Sequence, residues 1–283
     1  MAKVFTIENR KGGVSKTTTS VTLAVGLAER LRAQDGRVLI VDVDPQGHAA
    51  RALGLKPSGE CISNVLTGQG TLKDNILSAD RSKEGGPARP NLFVLPASDR
   101  LKEAKEELVA TWAAQSVVRR LGGRNKKQEA DDDSLIMLLE DKLGPAKKVF
   151  DYILIDCPPT LDMLQQAVHY FADYAIVPVR MDFLGVSATG QHTENILEDQ
   201  AAGIDIKIFA VIPTFVEARL NLTRAMMAQL VEKYGRLVVK GIPSTVKIAE
   251  AVAADGLTIL EYAPESLASV AYQELVDRMI SQR

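Results

Sequence analysis

The chain has 283 residues, of which 46% are hydrophobic and 25% charged, so it can bury the core of one large α/β domain, although its length alone also allows two. Its formal net charge of -2 shows no overall excess of positive charge, and any affinity for DNA must therefore come from a local patch. The two cysteines, Cys61 and Cys157, lie far apart and outside any C-x-x-C spacing, which argues against a disulfide framework, a zinc site or a redox motif and favours a reducing cytoplasm.

The N-terminal sequence MAKVFTIENRKGG enters a strand pattern directly. It lacks the apolar run of a signal peptide, and no later stretch of the sequence is long enough to span a bilayer. We therefore expect a soluble, cytoplasmic protein.

Short apolar runs alternate along the chain with longer stretches of helical pattern. The runs are rich in Val, Ile and Leu and nearly continuous, as expected of strands that helices cover on both faces. They read VFTIE, RVLIVDVD, NLFVLPAS, DYILIDCPP, YAIVPVR and IKIFAVIP. This alternation predicts an α/β fold with a doubly wound, mostly parallel sheet flanked by helices.

A phosphate-binding loop is indicated at residues 9–20, which read NRKGGVSKTTTS. The segment departs from the strict pattern G-x-x-x-x-G-K-[ST] because Arg10 and Ser15 stand where that pattern has glycines. It lies between the strand VFTIE and a helix predicted from about Lys16, which is the junction at which such loops bind phosphate. The predicted nucleotide-binding residues of the loop are Gly12, Gly13, Val14, Ser15, Lys16, Thr17 and Thr18.

The two lysines of the loop decide between a ligand site and a simple turn. Lys16 is expected to reach the β- and γ-phosphate oxygens, and the Thr17 hydroxyl is expected to hold Mg²⁺. A Gly-rich turn before a basic helix start is the structural alternative. Cations are disfavoured near a helix N-terminus unless an anion lies between them, so the presence of both Lys11 and Lys16 favours a bound polyanion.

Carboxylates follow two of the predicted strands. RVLIVDVD carries Asp42 and Asp44, whose side chains should face one side because alternate strand residues point the same way. DYILID ends with Asp156, at a place where a carboxylate commonly holds Mg²⁺ directly or through water. Each aspartate alone is better explained as a strand-end turn residue, but all of them beside a phosphate loop favour a magnesium-nucleotide site.

Two polar stretches are predicted to be surface insertions. Residues 81–91 combine charges with Gly and Pro, and residues 119–133 run from basic to acidic with almost no apolar residue. We expect both to be solvated loops of a single domain that spans residues 1–283. The basic half of the second could contact nucleic acid, although its acidic half would oppose this.

These motifs resemble those of the ParA/MinD family of deviant-Walker ATPases, and most of all its small, Soj-like ParA partition proteins. KGGVSKTT, residues 11–18, matches the family's K-G-G-x-x-K-[ST]-T, in which Ser15 is an allowed variant. DVDPQG, residues 42–47, resembles its switch I segment, and IDCPP, residues 155–159, its Walker B and switch II segment. The resemblance implies a P-loop NTPase fold of the deviant Walker A type.

The resemblance continues towards the C-terminus. The segments that start at VIPTFVEARLNL and at VKGIPSTVKIAEAV look like the family's last core segment and its closing segment. The motifs cover most of the chain apart from roughly residues 55–150. They imply that Pro243 contacts the adenine side of the nucleotide, and the family often has arginine at the position of Ser244.

The resemblance also implies a mechanism with ATP and Mg²⁺ as cofactors. Lys16 would serve its own nucleotide, Lys11 would be the signature lysine that crosses a dimer interface to the partner's ATP, and Asp44 would orient the attacking water. Asp42 would support either Mg²⁺ or the switch, and Asp156 the metal. ATP would then hold a homodimer together, and hydrolysis would release it. No obvious glutamine or arginine finger completes the site, so we expect slow hydrolysis that a ParB-like adaptor stimulates.

The resemblance further implies that the ATP dimer binds DNA without sequence preference and associates with the nucleoid. Arg219 is the best single candidate for a DNA contact. Arg219 and Arg224 are predicted to open a helix, ARLNLTRAMMAQL, where bare arginines oppose the helix dipole unless an anion approaches. The alternative for Arg219 is a surface pair with Glu217.

Other functions stay open at this point. The chain could be a MinD-like positioning ATPase, or a ParA-like ATPase that positions a cargo other than DNA. MinD-like membrane attachment is disfavoured because the tail that ends at Arg283 has no separate basic amphipathic helix with bulky apolar anchors. A metabolic P-loop enzyme or an iron–sulfur reductase of the same superfamily is a further alternative. The iron–sulfur reductase is disfavoured because Cys61 and Cys157 lack the paired-cysteine pattern that such a cluster needs.

Overall fold

The computed structural model describes residues 1–121, 135–160, 163–217 and 219–282. The strands within these ranges are β1 (Lys3–Ile7), β2 (Val38–Asp42), β3 (Leu77–Ser78), β4 (Leu92–Leu95), β5 (Tyr152–Asp156), β6 (Tyr174–Arg180) and β7 (Lys207–Thr214). They form one sheet in the order β3-β4-β2-β5-β1-β6-β7. Every pairing is parallel except that of β3 with β4.

Helices connect the strands and cover the sheet. They are α1 (Lys16–Leu31), α2 (His48–Ala52), α3 (Ile62–Leu66), α4 (Leu72–Asn75), α5 (Arg100–Leu121), α6 (Leu138–Leu143), α7 (Leu164–Phe171), α8 (Phe183–Ala201), α9 (Asn221–Tyr234), α10 (Lys247–Ala253), α11 (Ile259–Tyr262) and α12 (Leu267–Ser281). In the described part of the chain, no helix has both the length and the apolar character that crossing a bilayer requires.

The sheet separates two hydrophobic cores. In β2, Leu39 and Val41 pack into one core, and Val38 and Ile40 pack into the other. This alternation follows from the strand period of two residues, and it explains why the runs read as continuously apolar. Helices α1, α2 and α12 cover one face, and α6, α7 and α8 cover the other. The predicted doubly wound, mostly parallel sheet is confirmed.

Each of the apolar runs identified in the sequence forms a strand, but the short edge strand β3 was not predicted. Leu77 pairs with Val94, and Ser78 with Phe93, in antiparallel register. Such a strand is too short to show a periodic pattern, and its pairing with β4 depends on contacts that the local sequence does not encode.

The surface insertion at residues 81–91 differs in one respect from the expected solvated loop. Arg89 is only 4% exposed, and its guanidinium pairs with Glu261 at 2.7 Å. Arg81 pairs with Asp255 at 2.7 Å. These ion pairs hold the segment against α11 and the turn before it. Of the second predicted insertion, residues 122–133 lie outside the described ranges.

Candidate functional site

The predicted phosphate loop lies between the C-terminal end of β1 and α1, which begins at Lys16 as predicted. Gly13 and Ser15 both have positive φ angles, 70° and 72°. Ser15 therefore adopts the left-handed conformation that glycine takes at less cost, at a position where the strict pattern has glycine. The loop keeps its shape despite this substitution, and the strain at Ser15 is borne by the surrounding structure.

Lys16 points into the interior of the loop. It is 8% exposed, and its ammonium donates to the carbonyl oxygens of Asn9 and Lys11, both at 3.1 Å. Burial lowers the pKa of Lys16, while the nearby Asp156 carboxylate acts to raise it. A buried ammonium held among carbonyl groups is well placed to bind an anionic ligand.

Lys11 has different surroundings, at the rim of the loop. Its ammonium pairs with Asp182, which also pairs with Arg180 at 2.9 Å. The side chains of Lys11 and Asp182 are 22% and 42% exposed, and ion pairs with this much exposure typically contribute about 0–1 kcal/mol. Lys11 can therefore exchange Asp182 for another anion at small cost.

Two buried carboxylates lie side by side behind the loop. Asp42 and Asp156 are partners in the parallel register of β2 and β5. Burial raises the pKa of Asp156 to about 6, against the hydrogen bonds from Thr17 and Ser20 that lower it. Burial and the neighbouring Asp156 also raise the pKa of Asp42 well above its usual range. A cation at this place would relieve the repulsion between the two groups.

The hydrogen bonds of Asp156 fit such a cation. Its Oδ1 accepts from the Ser20 hydroxyl at 2.9 Å, whereas its buried Oδ2 has no partner among the described residues. A buried carboxylate oxygen without a partner is costly unless a cation or water satisfies it. Thr17, whose hydroxyl acts to lower the pKa of Asp156, adds a hydroxyl oxygen. These oxygens suit Mg²⁺.

No set of three or more His, Cys, Asp or Glu side chains in the described ranges could hold a metal ion. Mg²⁺ usually takes one or two carboxylates and completes its shell with phosphates and waters.

Asp42 and Asp44 differ in what they contact. Both oxygens of Asp42 accept backbone N–H groups, from Asp44 at 2.9 Å and from Ala49 at 3.0 Å. Of the two roles left open for Asp42, these contacts favour support of the switch I segment, and its assignment as a metal ligand stays a prediction. Asp44 accepts from the Gln46 N–H at 3.0 Å and faces the cleft described next.

A cleft of about 470 Å³ opens beside the loop, a volume within the range of small-molecule sites. Every predicted loop residue lines it except Val14, which is fully buried. The cleft is also lined by Asp44, by Pro158 and Pro159 of the segment that resembles switch II, and by Thr160. His48 and Lys102 line it as well, and sequence reasoning missed both because neither belongs to a motif.

The segment after β7 is attached to the loop but does not line the cleft. The Thr214 hydroxyl donates to the Val14 carbonyl oxygen at 3.2 Å, and Pro243 forms an isolated parallel bridge with Val216. Pro243 is half-buried and is not among the cleft-lining residues. Its predicted contact with the adenine stays a prediction.

Arg219 and Arg224 are both exposed, and neither forms an ion pair with another described residue. The predicted helix begins at Asn221, two residues later than Arg219, because Leu220 has an extended backbone with ψ 129°. Arg219 therefore precedes the helix, whereas Arg224 lies in it. The alternative pair of Arg219 with Glu217 is not formed.

The chain is similar to known proteins in both sequence and fold. The chain matches a family model described as an AAA domain over residues 2–208. It is 30% identical over 279 residues to the sporulation initiation inhibitor protein Soj of Bacillus subtilis, with 97% of each chain covered. Its fold is similar to that of a Cyanothece McdA variant in complex with ATP, with a TM-score of 0.77 and 22% identity over 99% of this chain and 96% of that one.

A second solved structure carries a ligand and a metal. It is cobyrinic acid a,c-diamide synthase from Mycobacterium smegmatis with a bound ATP analogue and magnesium. The TM-score is 0.72 and the identity 25%, over 100% of this chain and 96% of that one. The same fold thus occurs in a synthase as well as in McdA.

Proposed function

Because this chain belongs to the ParA/MinD family of deviant-Walker ATPases, we propose that it is a DNA partition ATPase whose ATP-bound homodimer binds DNA without sequence preference. Hydrolysis of ATP to ADP and phosphate, with Mg²⁺ as the metal, releases the dimer and the DNA. A ParB-like adaptor stimulates the slow intrinsic reaction. The protein acts in the cytoplasm, on the nucleoid.

The different surroundings of the two loop lysines carry this proposal. Lys16 is buried among the carbonyl groups of its own loop, and Lys11 lies at the rim in an exposed ion pair. The buried Lys16 serves the nucleotide of its own chain. Lys11, at the rim, can reach a nucleotide that a second copy of the chain holds. Dimer stability then depends on the γ-phosphate.

The residues around the cleft have separate tasks in the reaction. Backbone N–H groups of the loop, the N-terminus of α1 and Lys16 bind the phosphates. Thr17 and Asp156 would hold Mg²⁺, which would neutralise charge on the phosphate oxygens. Asp44, which lines the cleft, orients the attacking water, since phosphoryl transfer requires positioning more than covalent chemistry.

The Asp44→Ala variant should bind ATP and form the dimer but lose hydrolysis. Removal of the group that orients the water should lower kcat on the order of 10²-fold or more, while Lys16 and the loop still bind the nucleotide. Phosphate release and size-exclusion chromatography with ATP measure the two properties separately. Asp205→Ala, an exposed aspartate before β7 that pairs with Lys207, is the matched control. Turnover at the wild-type rate would remove Asp44 from the mechanism.

DNA binding should be ATP-dependent and steeply sensitive to salt. Arg219 and Arg224 are exposed and form no ion pair with the residues that the structure describes, so they are available to phosphates, and a dimer doubles the number of contacts. Each neutralised phosphate adds roughly 0.9 to the slope of log affinity against log salt on duplex DNA. The ATP dimer, with twice the contacts, should therefore bind more strongly and with a steeper salt dependence than the ADP-bound monomer.

The Arg219→Glu variant should bind two unrelated duplexes with equally reduced affinity while its ATP-driven dimerisation is unchanged. Arg32→Glu, at an exposed position after α1, makes the same change in net charge and should have a much smaller effect. Binding is measured at several salt concentrations with ATP and with ADP. An unaltered affinity would clear Arg219 of the role, and a strong preference for one duplex would overturn non-specific binding. ATP turnover without any DNA affinity would favour a cargo other than DNA.

A further inference from the structure

A cluster of charged side chains is buried directly beneath the start of the phosphate loop. It consists of Glu8 after β1, His169 on α7, and His192 and Asp199 on α8, with exposures of 3%, 0%, 2% and 8%. The Nε2 atom of His169 lies 2.9 Å from both carboxylate oxygens of Glu8, and its Nδ1 lies 2.5 Å from Oδ2 of Asp199. One imidazole ring therefore bridges two carboxylates from different elements.

This geometry favours the imidazolium form of His169, in which both ring nitrogens donate. Burial alone would lower the pKa of His169, but Glu8 and Asp199 outweigh it and raise the value to about 10. Burial likewise acts to raise the pKa of Glu8, yet the charge of His169 holds it below its usual value. The three groups are thus an ion-paired triad with one positive and two negative charges.

His192 is the second histidine of the cluster and is in a different state. Its Nε2 lies 3.8 Å from Glu8, and neither ring nitrogen has a hydrogen-bond partner among the described residues. Burial lowers its pKa, so the ring is neutral near pH 7. The charge that compensates Glu8 therefore comes from His169.

The cluster is joined to the phosphate loop through the next residue in the chain. The Asn9 carbonyl accepts the Lys16 ammonium, and its side-chain amide accepts from the Lys11 N–H at 3.0 Å and donates to the Pro178 carbonyl at 2.8 Å. The position of Glu8 thus determines where the acceptor of Lys16 lies. A shift at the end of β1 would move the ammonium that binds the phosphates.

The other two elements of the cluster, α7 and α8, each follow a segment that belongs to the nucleotide site. Helix α7 comes after the switch II residues Cys157–Pro159, and α8 comes after Asp182, the partner of Lys11. A small cavity between the loop start and switch II is lined by Glu8, Pro158 and His192. The imidazole of His169 therefore connects the phosphate loop to α7, the helix that follows switch II in the chain.

We propose that Glu8 is a positioning residue for ATP hydrolysis, which by its ion pair with His169 holds the start of the phosphate loop in register with α7 and thereby with switch II. This rests on the ATPase activity proposed above. Ground-state binding of the phosphates needs only the loop and Lys16, but hydrolysis needs the loop, the metal-holding Asp156 and switch II in fixed relative positions. Glu8 acts on the second requirement.

The Glu8→Gln variant should therefore lower kcat more than it changes KM for ATP. A misplacement of about 1 Å between reacting groups can cost on the order of 100-fold in rate, and we expect a loss of about 10- to 100-fold with KM changed by less than about threefold. Rates are compared per folded protein at a temperature below the melting transition of the variant. Glu274→Gln makes the same change at an exposed carboxylate that pairs with Lys240 and should keep the wild-type kcat.

Proton titration gives a readout that a purely structural role would not produce. In Glu8→Gln, His169 keeps Asp199 as its one carboxylate partner, so the pKa of His169 should fall. As the pH is raised, kcat should therefore decline at a lower pH in the variant than in the wild-type chain. The chain contains three histidines, and exposed His48 is an internal reference when the ring signals are followed by NMR. Glu8 and Asp199 act directly on His169, and His192 acts on Glu8. The groups around the cluster that interact with its members are Arg10, Lys16, Cys157 and Gln166.

The double variant Glu8→Gln with His169→Gln tests the link itself. It has the same net charge as the native triad, and its two amides can hydrogen-bond to each other and to Asp199. It should recover part of the kcat that Glu8→Gln loses, and more than His169→Gln alone, which leaves two uncompensated buried carboxylates.

The proposal is overturned if Glu8→Gln turns over ATP at the wild-type rate, or if its deficit vanishes once the rate is expressed per folded molecule. It is also overturned if kcat shows no relation to the titration of His169. A wild-type chain that does not hydrolyse ATP would contradict the proposed function instead, and the histidine titration would still report whether the triad exists.

Discussion

The Lys16→Ala variant is expected to bind ATP on the order of 10²- to 10³-fold more weakly than the wild-type chain. The physical reason is the position of the ammonium. Lys16 is 8% exposed, lines the cleft, and donates to two carbonyl groups of its own loop, so its removal leaves the bound phosphates without this counter-charge. Truncating one partner of a buried, hydrogen-bonded charge pair costs about 2–5 kcal/mol.

Isothermal titration with a non-hydrolysable ATP analogue and Mg²⁺ measures this loss. Lys240→Ala is the matched control, because Lys240 is exposed and its pair with Glu274 at 2.6 Å lies at the surface. Thermal melting shows whether the variant is folded, which we expect because Lys16 is not part of either hydrophobic core. Equal affinity of Lys16→Ala and wild type would contradict the assignment of this loop as the phosphate site.

The Lys11→Ala variant is expected to keep its affinity for ATP and to remain monomeric. Lys11 contributes to the loop through its carbonyl oxygen, which accepts the Lys16 ammonium, and an alanine retains that group. What the substitution removes is the charge at the rim, which we assign to the nucleotide of the second copy. The dimer dissociation constant should rise on the order of 10²-fold or more.

Sedimentation with the same ATP analogue measures the monomer–dimer equilibrium. Lys207→Ala is a suitable control, since Lys207 also pairs with an aspartate, at 3.0 Å, but lies at the start of β7. That end of a parallel sheet is opposite to the strand ends that carry the loop. Loss of nucleotide binding in Lys11→Ala as severe as in Lys16→Ala would contradict the division of labour, as would normal dimerisation.

The ion pair of Lys11 with Asp182 does not weaken this expectation. The pair must break when Lys11 crosses to a second copy, but an exposed pair of this kind contributes about 0–1 kcal/mol. A triphosphate carries several negative charges and therefore attracts the ammonium more strongly than one exposed carboxylate does. The free energy lost when Lys11 leaves Asp182 is therefore small compared with the free energy gained when Lys11 contacts the triphosphate at the interface.

Much of the fold could be predicted because its signals are local. The apolar runs such as YAIVPVR coincide with strands, and the helix after the loop begins at Lys16. The strand pattern also predicted that Asp42 and Asp156 end strands beside the phosphate loop, since parallel strands bring their carboxyl ends to one edge. The structure adds that the two strands are neighbours and that the two residues are register partners. The same argument could have found Asp182, which follows β6 at that edge.

Other features could not be predicted, because they depend on backbone detail or on distant partners. The helix after β7 begins at Asn221 rather than before Arg219, and the extended residue Leu220 that sets this start has no capping signal in the sequence. The charged loop at residues 81–91 buries Arg89 because Glu261, far along the chain, lies opposite it. The composition of this loop predicts that its charged residues are solvated, but the ion pair with Glu261 buries Arg89 instead.

The sequence by itself determined the doubly wound sheet, the family and the loop that carries Lys11 and Lys16, since strand period, loop spacing and helix start are properties of neighbouring residues. Only the tertiary structure decided how these parts are held. It separated the two lysines into a buried and a rim position, and it left the buried Oδ2 atom of Asp156 without a hydrogen-bond partner within the described part of the chain. It also brought Glu8, His169 and Asp199 into one buried triad, because packing of α7 and α8 against β1 joins side chains that no sequence pattern relates.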